Sequence, residues 1–486
     1  MLPVMNAGCC AHDPQERRGW LIVLVAFLAD ALGLGGRGLF SFMILYFEAE
    51  FGWDRSTSSA LKALVHVMIA LATIASGQIA DSVPAIYSLG GGLIYLAVCY
   101  GAVAALQEAW HAWLVYGVMC GIAWGGLNLN VFSVCVMRTI PARHHGLAVG
   151  IATAGSTFGM FALVPFISFI AESVGWRAGY ICMSISTAVV CIPAICLLRA
   201  QEAADGGHAS LCCGLTRRSA ARTSTSELGA PAPAQSHESS TMKSDGPTPA
   251  EADGGGEMPP SLRSKLRTLV GSRAIWLLSL AFVVCGVTTT GFVETHVVAL
   301  AVERGESVQT GAFAFSVLSA CNGLGMLIAG WLSDRVSRSL TLSLIFAVRG
   351  LSFLLLLWNN SQAALFAFAV IFGLVDYSVV PPVVSLVGSH AGQHTVGLGV
   401  GILLAWHSLA AAGGSYFGGV IYEATSNYNM ALEACAGICF IAAVAVLGVC
   451  PEPLLRRPHG PLPSAVDKLP SLDTASAVDS VEVERT

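Results

Sequence analysis

The sequence predicts an all-α membrane protein of twelve transmembrane helices arranged as two six-helix halves. Composition predicts the class: of 486 residues, 55% are hydrophobic and only 11% charged, against roughly 25% charged in an ordinary soluble domain. The apolar residues gather in runs of about 20, the length that crosses a hydrocarbon core as helix. Short motifs beside the second and fifth spans return in the same order beside the eighth and eleventh, which predicts the two-fold arrangement.

In the first half the runs lie near 20–46, 57–80, 84–106, 111–136, 145–170 and 177–198; in the second they lie near 274–300, 310–332, 340–358, 362–388, 396–422 and 430–450. The chain therefore divides into an N-terminal tail (1–19), a six-helix half (20–199), a linker (200–272), a second six-helix half (273–450) and a C-terminal tail (451–486). Linker and C-terminal tail are rich in Ser, Ala, Gly, Pro and Thr with few aromatics. They are expected to be disordered, since such segments bury too little apolar area to fold.

Arg17 and Arg18 precede an apolar run too long for a signal-peptide core, and no small-residue cleavage site follows, so the first span is expected to act as its own insertion signal. With the N-terminus cytoplasmic, the inside loops collect Arg17, Arg18, Arg138, Arg143, Arg335 and Arg338, and Arg263, Lys265, Arg267 and Arg273 flank the linker. The outside loops hold Arg55, Arg177 and Arg304 among the acids Glu48, Glu50, Asp54, Glu303 and Glu306. The positive-inside rule then places both termini in the cytoplasm, with the plasma membrane as the expected location.

Most of the fifteen cysteines, such as Cys99, Cys120, Cys135 and Cys321, sit within apolar runs and read as small buried hydrophobes. Cys9 with Cys10, and Cys212 with Cys213, lie beside spans where S-acylation is a second reading. A formal net charge of -5 with no basic stripe speaks against a nucleic-acid partner. No catalytic constellation and no metal-ligand spacing is present. The expectation is a protein that is not an enzyme, needs no cofactor, and has the bilayer and a small molecule as partners; an ancillary membrane protein is left open.

Gly77-Gln-Ile-Ala-Asp81 closes the second span and Gly330-Trp-Leu-Ser-Asp334 the eighth. Gly146-Leu-Ala-Val-Gly150-Ile opens the fifth and Gly397-Leu-Gly-Val-Gly401-Ile the eleventh, at almost the same offset. Parallel six-span repeats with a binding site at their interface are the architecture of major facilitator transporters.

The stretch Gly330 to Arg338, GWLSDRVSR, resembles the loop signature of the major facilitator superfamily, in which a glycine, an acid and flanking basic residues lock two helices. The resemblance makes Gly77, Asp81, Gly330, Asp334, Arg335 and Arg338 the expected gating motif. In the first-half copy Ser82 and Ala85 replace the usual basic residues. FGWDRS (Phe51 to Ser56), IPARHHGLAVGIATAGSTFG (Ile140 to Gly159), GWRAGY (Gly175 to Tyr180), ETHVVALAVERG (Glu294 to Gly305) and GLVDYSVVPP (Gly373 to Pro382) resemble the monocarboxylate porter and oxalate/formate antiporter branch. This implies alternating access and transport of a small carboxylate, with proton coupling or anion exchange. The eighth-helix Asp and Arg of the animal members align with Asn322 and Met326, so the arginine that usually pairs with the carboxylate is missing.

Ionisable side chains at a span's centre carry an insertion penalty of about 2.5–3.5 kcal/mol and mark function or tight pairing. They are Asp30, Arg37, Glu294, His296, Arg349, Asp376 and His407. Arg37 follows Gly33, Gly35 and Gly36 and falls near the first-helix lysine that binds substrate in related porters. Its guanidinium fork suits a carboxylate; pairing with Asp30 is the alternative. His296 and His407 are candidate path residues, and Glu294 a candidate proton carrier. Arg349 and Asp376 lie near the middles of consecutive antiparallel helices, where a mutual charge pair is expected. Asn128, Asn130 and Tyr377 add neutral hydrogen-bonding groups. The expected function is secondary active transport of a small organic anion, a monocarboxylate by resemblance. Carriage of a neutral or amphipathic solute, and a transporter-like sensor, are the competing readings.

Overall fold

The computed structural model describes residues 14–83, 86–128, 131–132, 135–136, 139–141, 144–223, 262–333, 335–391 and 396–449. Among them the elements are α1 (Pro14–Gly38), α2 (Phe40–Phe51), α3 (Arg55–Ser82), α4 (Gly91–Ala104), α5 (Ala109–Ala112), α6 (Gly121–Gly126), α7 (His145–Ser173), α8 (Trp176–Thr223) and α9 (Leu262–Gly271). There follow α10 (Arg273–Gly286), α11 (Glu294–Glu303), α12 (Val308–Ser333), α13 (Arg338–Trp358), α14 (Gln362–Asp376), α15 (Val380–Ala391), α16 (Val396–Thr425) and α17 (Asn429–Leu447). Wide helical turns at Ile86–Gly90, Trp113–Cys120 and Val287–Val293 join some of these end to end.

Eleven helices among the described residues are long and apolar enough to cross a membrane. The fourth predicted span is made of shorter pieces: α5, the turn Trp113–Cys120 and α6. Only helices that bond their own backbone can cross lipid singly, and their outward faces stay apolar; Ile192, Leu327 and Val444 are each more than 60% exposed on such faces. Helix also enters both ends of the stretch expected to be disordered, since α8 runs on to Thr223 and α9 covers Leu262–Gly271. Local sequence explains it: Ala200-Gln-Glu-Ala-Ala is a run of good helix formers, and α9 buries Leu269 while turning Arg263 and Arg267 outward. Residues 1–13, 224–261 and 450–486 lie outside the described set.

Glycine sets the closest helix contacts. A Cβ at Gly155 or Gly159 of α7 would stand 2.1 Å from the carbonyl oxygens of Phe27 and Ala31 of α1. Two glycines four apart thus let α7 lie directly on α1, the small-residue packing that stands in for the hydrophobic effect inside lipid. The second half repeats the device: a Cβ at Gly286 would meet the His407 carbonyl oxygen at 2.1 Å, and one at Gly414 that of Val287 at 2.5 Å. First span on fifth and seventh on eleventh is one arrangement built twice.

The halves meet along three helix pairs. Ser168 of α7 donates to Gln309 of α12 at 2.8 Å and Ser316 of α12 to the Phe161 carbonyl; Arg37 of α1 meets Glu294 of α11; a Cβ at Gly419 of α16 would press on Ser59 of α3. All these contacts lie at mid-bundle or toward the end away from Pro14. At the end near Pro14, a Cβ at Gly150 or Gly401 would meet nothing within 4 Å. Among the described residues no hydrogen bond or ion pair joins the halves there. Among the described residues, the seam is latched at the end away from Pro14.

Candidate functional site

The backbone of the first span sharpens at Leu39, where α1 stops and α2 begins. Gly35, Gly36 and Gly38 supply little helix propensity there, and Lys62 of α3 inserts its Nζ 3.3 Å from the Arg37 carbonyl oxygen. A side chain entering the helical ladder is a recognised cause of a kink. The opposing wall is the turn Val287–Val293, a widened helical turn of the kind frequent at functional sites, which delivers Glu294 at its end.

These features converge on one charged cluster. Arg37 Nη2 lies 3.1 Å from both carboxylate oxygens of Glu294, with side-chain exposures of 14% and 4%. Tyr377, where α14 gives way to a short tight turn, donates its hydroxyl to Glu294 Oε1 at 3.0 Å. Lys62 is fully buried, its Nζ 5.0 Å from the centre of the Phe40 ring. His66, one helical turn along α3 from Lys62, is 1% exposed, and its Nε2 has no hydrogen-bond partner among the described residues. Arg37 and Tyr377, expected at the substrate site, are thus brought together with Glu294, expected as a proton carrier; the sequence offered Asp30, not Glu294, as the partner of Arg37. Lys62 and His66 are absent from that expectation, although the signal that marks Arg37, an ionisable group inside a span, marks them too.

The other expected residues fall elsewhere. Asp30 is not paired with Arg37: it accepts the backbone N–H of Ser156 at 2.8 Å, where Gly155 lets α7 come close enough to offer it. His296 is not beside the cluster but is committed to an outer latch. Its Nε2 lies 2.9 Å from the Ser415 carbonyl oxygen and its Nδ1 3.1 Å from the Tyr428 hydroxyl. A carbonyl only accepts, so Nε2 carries the proton and Nδ1 takes the Tyr428 O–H. Tyr428 in turn accepts from Arg55, whose guanidinium forks onto Glu48 and stacks 4.4 Å from the Tyr422 ring centre. Arg55, expected as an ordinary loop charge, is 8% exposed and ties α3 to α2 and to the α16–α17 connection.

His407 is half-buried on α16, its ring 6.2 Å from Phe282 of α10 and near enough to His66 across the seam to interact with it electrostatically. Asn128 donates to Ser76 and to the Gly125 carbonyl, joining the fourth span to α3 away from the cluster. Arg349 and Asp376 do meet, 3.6 Å apart and both at 2% exposure or less. Arg349 also donates to Thr288, Thr289 and the Val375 carbonyl, while Asn322 donates to Asp376 at 3.2 Å. Four spans of the second half are pinned by this network, and Asn322 is part of it.

In the expected gating motif, Arg338 donates to the Ser385 carbonyl at 3.3 Å, and Arg335 lies over the Trp331 ring, one residue after Gly330. Gly77 and Asp81 fall in the last turns of α3, where side chains are outside the described set, as Asp334 and Asn130 are. Outside the spans, Glu50 at the end of α2 is hydrogen-bonded by Arg177 and by Trp176, and the guanidinium holds its carboxyl below the usual carboxylate range.

Among the described residues no group of His, Cys, Asp or Glu has metal-binding geometry. The site can hold and exchange charge at a seam between the two halves. Comparisons with known proteins agree with this arrangement. The family model described as Major Facilitator Superfamily matches residues 20–317 and 279–472. The chain is 26% identical over 453 residues to an uncharacterized MFS-type transporter, YcxA, of Bacillus subtilis, covering 90% of this chain and 96% of that one. It is 24% identical over 455 residues to monocarboxylate transporter 12 of Rattus norvegicus, covering 90% and 86%. The fold is similar to that of a bacterial homologue of the human lysosomal transporter Spinster in an inward-facing, occupied conformation, with a TM-score of 0.61, 15% identity, and coverage of 88% and 96%. The family model spans both halves of the chain, and the chain belongs to the Major Facilitator Superfamily of transporters.

Proposed function

We propose that this protein carries a small organic anion, a monocarboxylate, across the plasma membrane by alternating access, with both termini cytoplasmic. The observation that supports this reading is the charge of the seam cluster: Arg37 and Lys62 face one carboxylate, Glu294, which leaves one positive charge in a low-dielectric place. An anion leaving water needs charge-assisted donors to replace its hydration, and this cluster offers them where helices of both halves meet. The relatives named monocarboxylate transporters point the same way.

Rocking the latched end open separates α1 from α11 and so breaks the Arg37–Glu294 pair. A carboxylate binding there cancels the surplus charge and leaves the cluster without a net charge in transit, which suits exchange of one anion for another. Symport is the second reading: a proton taken by Glu294 would travel with the anion and leave the cluster with one positive charge. The test is uptake by purified protein in sealed vesicles, with a panel of short carboxylates set against their neutral amides. Carboxylate uptake that the amides neither share nor inhibit is the expected result. Amide uptake without carboxylate uptake would put the neutral-solute reading in its place.

A further inference from the structure

The surplus positive charge of the seam has a definite address. Arg37 already directs Nη2 at both oxygens of Glu294. Lys62 has three N–H donors and one bond, to the Arg37 carbonyl at 3.3 Å. Among the described residues no carboxylate lies within ion-pair distance of it, and its side chain is fully buried. The Phe40 ring at 5.0 Å offers only the partial compensation of a cation–π contact. His66 Nε2 and Arg37 Nε are likewise buried without partners. Lys62 and His66 are four residues apart on α3, hence on one face with Cβ atoms about 5–6 Å apart, within reach of a single carboxylate. Burying three such nitrogens with so few acceptors is costly, and a structure that serves only itself would have supplied them.

We propose that Lys62, with His66 beside it on α3, is the seat of the substrate's carboxylate, and that Arg37 is held by Glu294 to shape that seat rather than to bind the anion itself. This rests on the anion-transport reading above and adds the residue and the helix. One unmatched cation calls for one negative charge, so the seat takes a monoanion and disfavours a dicarboxylate, whose second charge would stand unpaired beside Glu294.

The test uses full-length protein in detergent and in vesicles, with acetate, pyruvate, lactate, oxalate and succinate as probes. Binding is read as the ligand-induced rise in melting temperature, and transport as uptake. Lys62→Gln should raise the half-saturation concentration for the preferred monoanion by about tenfold to a hundredfold, the worth of one hydrogen bond to a charged group. The ligand-free variant should melt at or above the wild-type temperature, because an under-compensated buried charge has been removed. Lys62→Arg should recover part of the affinity. A Lys62→Gln protein that melts below wild type in the absence of ligand assigns Lys62 to holding the kink at Leu39 and overturns the proposal. So does one that binds as tightly as wild type, and that result leaves anion transport standing. Preference for succinate or oxalate over the monoanions overturns the valence. If wild type responds to no carboxylate, the transport reading itself has failed, and the missing wild-type signal makes that case recognisable.

Discussion

Arg37 and Glu294 lie 257 residues apart in the chain and 3.1 Å apart in the fold, on opposite sides of the seam between the halves. They form an ion pair across the seam, which a motion parting α1 from α11 would break. Its energy would then belong to the equilibrium between conformations as well as to folding.

Removing one member of such a buried pair costs about 3–5 kcal/mol, mostly because the other charge is left alone. Arg37→Gln is expected to melt lower than wild type and to lose uptake. Arg37→Gln combined with Glu294→Gln should regain most of the thermal stability and stay inactive. Thermal melts of the two singles and the double form a cycle, and a double variant as unstable as Arg37→Gln would show that the pair is not the source of the loss.

The outer latch gives a prediction about accessibility. Tyr428→Phe removes the hydroxyl shared by Arg55 and His296, leaving His296 Nδ1 buried without a donor, a penalty of about 1–3 kcal/mol against the closed seam. A cysteine placed at Ser59, which is fully buried beneath Gly419, should react faster with a membrane-impermeant thiol reagent in the Tyr428→Phe background. Equal labelling rates would mean that the seam closes without this chain of bonds.

Arg349 and Asp376 belong to a different class, internal to the second half. Arg349→Leu should sharply reduce the folded, monodisperse yield, and adding Asp376→Asn should restore part of it, since the orphaned carboxylate is then neutral while Thr289 and Asn322 still bond it. Size-exclusion profiles of detergent extracts report this directly. Wild-type yields for both single variants would remove the network from the list of what holds the half together.

Steric contrast between two glycines of α7 supplies an internally controlled test. Gly159→Val places a Cβ 2.1 Å from the Ala31 carbonyl oxygen, whereas Gly150→Ala points into open space. The first should abolish recovery of folded protein by forcing α7 off α1, and the second should leave the melting temperature within a few degrees of wild type. Comparable behaviour of the two would contradict the close α1–α7 packing.

Hydropathy and repetition made the fold legible, because lipid leaves a spanning segment few choices beyond an apolar helix and the duplicated motifs fix how many such helices form a unit. They could not show that the fourth span would be built of pieces, or that helix would run past Ala200. Within the site, Arg37, Glu294 and Tyr377 were each readable as buried polar groups in apolar runs. The same rule grouped His296 with them wrongly, because burial alone does not tell a residue waiting for a partner from one already satisfied by Ser415 and Tyr428.

By itself the sequence determined the all-helical membrane class, the two-fold repeat and most of the ionisable groups that lipid would have to tolerate, since each of these follows from local composition. Tertiary structure decided the other pairings. The Arg349–Asp376 pair was readable in advance, but Glu294 went to Arg37, Asp30 to a backbone amide, and Lys62, among the described residues, to no carboxylate. Those choices depend on which helices touch and at what depth. Helix contact in lipid is set by where glycines let backbones approach, so a charge in the sequence has no partner until the glycines have chosen its neighbours.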